Sequence, residues 1–512
     1  MSFSNLVELK TFNVFPEYFI GISALYILVV IVFISYNVYG LIVQKALSEC
    51  MGFILLLACY LVLNDDLVFN KNGLEIFSML GFYKASIADY VAFFTKFILC
   101  FFSSLYFFII ADFLKDNKLT SFEYLLILLF AVLGLMLLCS SNELLTAYLS
   151  IELVSLSSYV LAAFKKTSTH SAEAGVKYLI TGAISSAFFL LGSSFIYGCS
   201  GTLNVTDFWL VISDEGWFNT SMTSSIFKPF LEIGLACIIF SLFIKLALAP
   251  FHVWSLDVYE GSPTISTFFF AVITKLSFFV FLVRITHVAA FKYCEVWQFY
   301  GVMIAILSIF VGSFGGLRQR KLKTLLAYSS VSHMGYSLLA FSAGSQFGIE
   351  MLLFYLVIYM LSGLSVWFVI LATQANRKRY TEKFSKELGD LALLRKSNPA
   401  LALSLTLSMF SIAGIPPLVG FFAKMGIFLS VLPTKYYFVA LLAILCSVVS
   451  TFYYIRIIKI LYFENLLVGK LYYQLLSSKT FVFSFSILSL LFFFVNPTIL
   501  YLLVHKVILC SF

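Results

Sequence analysis

FIKLALAPFH at residues 243–252 and GIPPLVGFFAK at residues 414–424 are the two segments that decide the fold. Proline interrupts both, at Pro250 in the first and at Pro416 and Pro417 in the second. A proline inside a helix removes a backbone donor and displaces the carbonyl group four residues earlier. Inside a bilayer these freed groups need protein or water partners, so each segment predicts a broken helix beside a hydrated pocket.

The composition around these segments is that of a membrane protein. The 512 residues are 61% hydrophobic and 11% charged, whereas soluble proteins are about a quarter charged. Apolar runs of about 20 residues, long enough to cross a bilayer, predict an all-α polytopic protein with about 14 transmembrane helices. The spans are expected near residues 18–37, 46–63, 90–112, 121–140, 142–164, 175–198, 230–260, 263–288, 296–316, 322–343, 347–373, 399–432, 436–462 and 480–504.

The two broken segments occupy equivalent places in the order of spans. They are spans 7 and 12, and paired interrupted helices in two halves are typical of inverted-repeat transporters. Because span 12 comes five spans after span 7, an odd number, the two copies should have opposite orientations. We predict two inverted five-helix repeats, spans 4–8 and 9–13. Within one membrane domain this gives residues 1–114 for spans 1–3, 118–290 and 294–465 for the repeats, and 466–512 for span 14.

Charges in the links between spans indicate the topology. Lysine and arginine concentrate in the odd-numbered links, for example at residues 318–323, and the positive-inside rule places such links on the inner side. Both termini should then lie outside, on the intermembrane-space side. The net charge of +8 follows from this bias and does not indicate nucleic-acid binding. Residues 1–17 lack the pattern of a cleavable leader, so direct insertion is expected.

Two links carry further predictions. In the outer link after span 2, Asn72-Gly73 lies between apolar runs, which predicts a hairpin turn. The link at residues 374–398 is strongly charged and is expected to lie on the inner surface.

Four charged side chains lie deep inside the predicted spans. They are Glu152 in span 5, Lys245 beside the first break, Lys275 in span 8 and Lys424 after the second break. A charge at the bilayer centre costs about 2.5–3.5 kcal/mol or more, so these groups need partners. Glu152 and Lys245 are the expected ion pair. Because burial disfavours a charged lysine and a nearby carboxylate favours it, such a lysine can release its proton when its partner moves.

These polar residues also admit a structural interpretation. An internal Glu–Lys pair can simply hold helices together, although lysines beside helix breaks favour a function. His333 in span 10 is either a proton relay or a hydrogen-bonded core histidine. Lys177 is expected to extend to the surface, and Asp257 and Glu260, near the turn after span 7, are expected to be structural.

Motifs for bound cofactors are absent from the sequence. The nine cysteines form no C-x-x-C pair, which argues against an iron–sulfur cluster or a zinc site. A G-x-G-x-x-G motif for dinucleotides is missing as well. We therefore expect this chain to hold neither a metal nor a redox cofactor.

A set of longer motifs accompanies the charged residues, at residues 151–159, 173–179, 249–252, 257–264, 325–330 and 414–417. Together they resemble the chain 2 family of NADH–ubiquinone oxidoreductase, the antiporter-like subunit 2 of respiratory complex I (subunit N in bacteria), over about residues 120–465. The resemblance implies a pair of proton half-channels. Glu152 and Lys245 would form the charge pair, Lys275 would connect the halves, and Lys424 would face the exit path. Ser255-Leu256, in the second half of span 7, departs from the Ala-Pro that related chains often have.

The resemblance also implies the surroundings of the chain. NADH, FMN, iron–sulfur clusters and ubiquinone would belong to the parent complex, with none bound by this chain. Its partners would be the other membrane-arm subunits and lipids, cardiolipin among the candidates. Its location would be the mitochondrial inner membrane, or the plasma membrane of a bacterium. Quinone chemistry elsewhere would separate Glu152 from Lys245 and so drive proton translocation.

Three alternatives stay open on the sequence alone. An Mrp-type cation/proton antiporter subunit would share the breaks and the lysines, and copurification with quinone-reductase subunits would distinguish it. Subunit 2 of the thylakoid NAD(P)H–quinone oxidoreductase is similar, but usually has Pro-Glu-Cys where this chain has Ile151-Glu152-Leu153. A structural scaffold whose charges only hold helices together would tolerate the substitution Lys245→Ala.

Overall fold

Helices lie at all fourteen places where the sequence predicts a span. The computed structural model describes residues 14–34, 40–71, 79–81, 84–116, 119, 121–213, 223–381, 387–392, 394–464 and 477–511. The helices are α1 (Phe15–Ile34), α2 (Gly40–Lys71), α3 (Tyr90–Ile110), α4 (Glu123–Ser140), α5 (Leu144–Ala163), α6 (Thr169–Ser200), α7a (Thr223–Lys245), α7b (Val253–Gly261), α8a (Thr264–Val272), α8b (Lys275–Val283), α9 (Cys294–Leu317), α10 (Leu322–Ser342), α11 (Gln346–Thr381), α12a (Pro399–Ala413), α12b (Val419–Val431), α13 (Tyr437–Tyr462), α14a (Ser477–Val495) and α14b (Thr498–Leu509).

Most of these helices can cross a membrane on length and composition alone. Within the described residues ten do so, and the bent pair α14a–α14b makes up to eleven. The other three places are α7 and α12, which are interrupted, and α10, which is rich in serine. The all-α polytopic fold with broken helices 7 and 12 is therefore confirmed. The chain is a multi-pass membrane protein.

Several helices differ from their predicted limits. Helix α6 begins at Thr169, six residues early, because the Ser168 hydroxyl accepts a hydrogen bond from the Ser171 N–H and caps it. Helix α11 continues to Thr381, into the charged link that was expected after it. Hydropathy marks where apolar residues end, whereas backbone hydrogen bonding extends a helix into water.

Two interruptions were not predicted. Helix α8 is interrupted at residues 273–274, just before Lys275, without a proline. Helix α14 bends by 84° between α14a and α14b, where Pro497 lacks the backbone donor that would continue the helix. In α14b, Tyr501 and His505 contact the buried carboxylate of Glu350 at the start of α11, at 3.3 and 2.8 Å.

A short hairpin lies outside the helices. Strands β1 (Met79–Gly81) and β2 (Ser86–Ala88) pair antiparallel, a feature that the sequence did not predict. Lys84, between them, forms an ion pair with Asp207 at 2.8 Å, and this hydrogen-bonded contact holds the pKa of Asp207 below its ordinary value. The predicted turn at Asn72-Gly73 lies outside the described residues.

The two predicted repeats share one packing pattern. Helix α4 packs on α5 as α9 packs on α10, α6 packs on α7a as α11 packs on α12a, and α4 packs on α8b as α9 packs on α13. Each pair joins helices with the same places in spans 4–8 and 9–13. The packing therefore supports the five-helix repeat, and the residue limits given above for the four parts stay a prediction.

Buried ion pairs join the first three helices to one another and to the first repeat. Lys96 of α3 pairs with Glu17 of α1, and both side chains are 2% exposed. Arg284, at the end of α8b, binds Asp89 at 2.8 Å and donates to the carbonyl of Cys139 at the end of α4. The sequence analysis did not single out Lys96 and Arg284, although both lie inside predicted spans, because their partners Glu17 and Asp89 lie just outside the spans.

The Lys96–Glu17 pair can be tested by removing one charge or both. The variant Lys96→Met leaves the Glu17 carboxylate buried without its cation, so we expect its free energy of unfolding to fall by about 3–5 kcal/mol. Adding Glu17→Leu removes the second charge and should restore most of that loss. Chemical denaturation in detergent micelles measures the difference, with Lys396→Met at an exposed lysine as the control. Equal stability of the single and double variants would contradict this role.

Candidate functional site

The break in helix 7 ends α7a at Lys245. Residues 246–252 lead from α7a to α7b without helical structure, and Ala247 adopts a φ of 57°, a left-handed conformation that is uncommon outside glycine. The Trp254 indole N–H, in α7b, donates to the carbonyl of Ile244 at 2.9 Å. The same carbonyl accepts from the Ala247 N–H at 3.1 Å, so the indole adds a second hydrogen bond that ties α7b to the end of α7a.

Aromatic rings form the wall against which Lys245 lies. Its ammonium group donates to the hydroxyl of Tyr159 at 3.2 Å and lies 5.6 Å from the centre of that ring. Tyr178 contacts Tyr159 edge to face at 4.9 Å and stacks on Trp254 at 4.5 Å. Trp254 thus hydrogen-bonds to the Ile244 carbonyl across the break and also packs against Tyr178, which contacts the ring of Tyr159.

Glu152 does not make the direct contact that was predicted for it. Among the ion pairs of the described residues, none joins Glu152 to Lys245, although the two interact Coulombically. One carboxylate oxygen of Glu152 accepts from the Ser155 hydroxyl at 3.1 Å, and the other is buried without a hydrogen-bond partner. The expected ion pair is wrong in this structure because Lys245 is bound instead by Tyr159, two turns further along α5.

Lys245 and Lys275 share one internal cavity. Its volume is about 20 Å³, and Ser155, Tyr178 and Thr274 also line it. A cavity of this size, with several polar groups around it, can hold a water molecule. The structure therefore brings together two of the predicted lysines, from helices 7 and 8.

Lys275 contacts the second repeat. It is the first residue of α8b and 6% exposed. Its ammonium group donates to the Tyr359 hydroxyl on α11 at 3.3 Å and lies 5.1 Å from the centre of that ring. Thr274, at the interruption, returns a hydrogen bond to the carbonyl of Phe270 at 3.0 Å.

A second, smaller cavity holds the remaining predicted residues. It has a volume of about 10 Å³ and is lined by His333, Lys424, Tyr355 and Tyr359, among others. The two ring nitrogens of His333 contact the Tyr355 hydroxyl at 2.5 Å and the Tyr454 hydroxyl at 3.0 Å. His333 is therefore a hydrogen-bonded core histidine that also faces this cavity.

Lys424 repeats the arrangement of a lysine at a helix break. Its ammonium group donates to the carbonyl of Ala413, the last residue of α12a, at 2.7 Å. Gly414 follows with a φ of 79°, and a Cβ atom there would lie 2.7 Å from the Lys424 side chain. Glycine is needed at this position both for its backbone conformation and for the space that the lysine occupies.

The charges around the turn after α7b serve as surface contacts. Lys177 binds Asp257 at 2.6 Å, and Glu260 pairs with Lys321 at the start of α10. All four side chains are exposed by more than a third, as the structural interpretation predicts. In the part of the chain that the structure describes, there is no group of three or more His, Cys, Asp or Glu residues that could hold a metal ion.

The tyrosines of the site were missed by sequence reasoning. Tyr159 lies seven residues after Glu152, a helical spacing that could have placed both on one face of span 5. For Tyr355, Tyr359 and Tyr454 there is no comparable signal, because the chain has 29 tyrosines and most of their neighbours are apolar. Their contacts depend on how α8, α10, α11 and α13 pack.

Known proteins share this arrangement of helices. Residues 141–451 match the family described as NADH:quinone oxidoreductase/Mrp antiporter, TM. The chain is 38% identical to NADH-ubiquinone oxidoreductase chain 2 of Marchantia polymorpha, over 78% of this chain and 79% of that one. It is 34% identical to NADH-quinone oxidoreductase subunit N of Pelagibacter ubique, over 88% of this chain and 89% of the other.

A solved structure extends the similarity to nearly the whole chain. A chain of respiratory complex I from Thermus thermophilus matches with a TM-score of 0.74 at 25% identity, over 95% of this chain and 98% of that one. These similarities confirm the resemblance that the sequence motifs carry. The chain belongs to the NADH:quinone oxidoreductase/Mrp antiporter family and, within it, groups with subunit N and chain 2.

Proposed function

We propose that this chain is the proton-translocating, antiporter-like core subunit of a respiratory NADH:quinone oxidoreductase. One observation carries the proposal. Lys245, Lys275, His333 and Lys424 all lie within membrane helices and line two cavities, and Tyr359 lies between these cavities. Titratable groups inside membrane spans are costly and usually mark ion pathways. The names of the relatives support the oxidoreductase context.

The geometry supports stepwise proton transfer between amines. A water molecule in the first cavity would exchange a proton between Lys245 and Lys275, which both line it. Glu152 acts on Lys245 through its charge rather than by contact. Because a Coulombic interaction weakens with distance, moving Glu152 away would favour release of the Lys245 proton. Quinone reduction in partner subunits would supply that movement.

The surroundings follow from the same proposal. NADH, FMN, iron–sulfur clusters and ubiquinone would be held by partner chains, and the other membrane-arm subunits and lipids would contact this one. The membrane would be the mitochondrial inner membrane or a bacterial plasma membrane, with both termini on the outer side. The family also includes Mrp antiporters, so copurification with quinone-reductase subunits separates the two contexts.

Lys245→Ala tests whether this chain carries protons. The variant removes the amine at the first break, and since general acid–base groups contribute at least about a hundredfold to proton transfer, we expect proton pumping coupled to NADH oxidation to be nearly abolished. The measurement is acidification of vesicles that contain the assembled complex. Lys396→Ala, at an exposed lysine, should pump normally. Normal pumping by an assembled Lys245→Ala complex would reject the proposal and favour a scaffold.

Trp254→Phe tests how the break positions Lys245. Phenylalanine can keep the stacking on Tyr178 but cannot donate to the Ile244 carbonyl, which keeps only its bond from the Ala247 N–H at 3.1 Å. Losing one such hydrogen bond costs about 0.5–1.5 kcal/mol. Because Lys245 then loses part of what holds the end of α7a in place, we expect the pumping rate to fall by up to about tenfold, the factor that about 1.4 kcal/mol corresponds to. Trp209→Phe, at a tryptophan that is 47% exposed, is the matched control. Equal pumping by the two variants would show that the indole hydrogen bond is dispensable.

A further inference from the structure

We propose that the hydroxyl group of Tyr359 passes protons from Lys275 in the first cavity to Lys424 in the second. This inference rests on the proposed function and assigns a further proton-transferring residue to it. Tyr359 is the residue through which the two cavities meet. It binds Lys275, which lines the first cavity, and is itself part of the wall of the second.

The hydrogen bond from Lys275 to the Tyr359 hydroxyl has the direction that a relay needs. Its hydroxyl oxygen accepts from the Lys275 ammonium group at 3.3 Å. In the described part of the chain no other hydrogen bond of this hydroxyl group is found. A phenol can accept and donate at once, so its own O–H remains available to the second cavity, where Lys424 and His333 lie.

His333 is less suited to take the proton directly from Lys275. Both of its ring nitrogens are already engaged by Tyr355 and Tyr454. Its ring packs beside that of Tyr359, with the centres 5.4 Å apart, and it does not line the first cavity. The ring packing holds the phenol in place, while its hydroxyl group contacts Lys275.

A close approach of two helices places Tyr359 at this point. A Cβ atom on Gly363 of α11 would lie 2.8 Å from the Val272 side chain of α8a, so only glycine allows the helices to come this near. From that contact, Lys275 lies three residues further along helix 8 and Tyr359 four residues back along α11. Ile273 and Thr274 keep right-handed helical backbone angles at the interruption, so Lys275 and Tyr359 each lie about one turn from the contact on the same face of their helix. Their side chains meet there, with the ammonium group 3.3 Å from the hydroxyl.

The transfer balances without a redox partner. The N–H bond of the Lys275 ammonium breaks as a new O–H bond forms on Tyr359, and the original phenolic O–H bond breaks as its proton passes to the neutral amine of Lys424. One water can mediate the last transfer, since a cavity of about 10 Å³ is at the lower limit for a single water molecule. The phenol is regenerated, and rotation of the hydroxyl group resets it.

The test compares four variants in the assembled complex, reconstituted in vesicles. Tyr359→Phe keeps the ring that packs on Lys275 and His333 and removes only the hydroxyl group. Tyr106→Phe is the matched control, because this buried tyrosine of α3 donates to the carbonyl of Ile265 and lines neither cavity. Lys245→Ala tests the proposed function itself. Vesicle acidification and NADH:quinone turnover are measured for each, in H₂O and in D₂O.

We expect Tyr359→Phe to lower the coupled pumping rate by about a hundredfold, the lower range for a general acid–base group, and Tyr106→Phe to pump normally. Tyr359→His, which restores a group that can accept and donate a proton, should regain pumping and retain a solvent isotope effect. Normal pumping by Tyr359→Phe, alongside a defective Lys245→Ala, would overturn the role of Tyr359 and leave the proposed function intact. Normal pumping by Lys245→Ala would overturn both.

Should Tyr359→Phe fail to assemble, Tyr359→His decides alone. Assembly is judged on native gels. An assembled histidine variant that pumps supports a relay, because it lacks the phenol but keeps a titratable group. An assembled histidine variant that does not pump overturns the relay and indicates that the phenol ring is needed only for packing.

Discussion

Lysine side chains buried without a carboxylate contact are the constraint on which the structure of this site depends. Lys245, Lys275 and Lys424 are bound by the hydroxyl groups of Tyr159 and Tyr359 and by one backbone carbonyl. Such neutral partners stabilise an ammonium group less than a carboxylate does, so loss of a proton to give the neutral amine costs less free energy. Helix breaks, tyrosines and small cavities all serve to keep these groups partly satisfied inside the membrane.

Each helix break changes the hydrogen bonding of a backbone carbonyl and, with it, how the nearby lysine is bound. Interrupting α12 frees the Ala413 carbonyl, and Lys424 takes it as its partner. Where α7 is interrupted, the Ile244 carbonyl accepts from the Ala247 N–H and from the Trp254 indole, and Lys245 donates to the Tyr159 hydroxyl instead. The two breaks therefore resemble each other in backbone but not in how their lysines are bound. This difference makes the halves unequal, with a carboxylate near the first lysine and a histidine near the second.

The sequence predicts the features that depend on local chemistry. Apolar runs predict the helices, prolines predict the breaks at Pro250 and Pro416–Pro417, and the five-span spacing predicts the repeat. Contacts between side chains depend on helix rotation, which hydropathy does not report. For this reason the expected Glu152–Lys245 ion pair was wrong, and Tyr359 was not found. The interruption before Lys275 was missed because it contains no proline, and Lys96–Glu17 was missed because Glu17 precedes the predicted first span.

The bent end of the chain has a mechanical consequence for the centre of the protein. Helix α14b supplies Tyr501 and His505 to the carboxylate of Glu350, which is otherwise enclosed by protein. Glu350 and Tyr359 lie on one continuous helix, nine residues or about 13 Å apart along its axis. Removing the last dozen residues would leave the Glu350 carboxyl group buried at the start of α11 without these two partners. Helix α14b thus anchors the start of α11. Its loss would affect the position of Tyr359, two and a half turns along that helix, and not only the end of the chain.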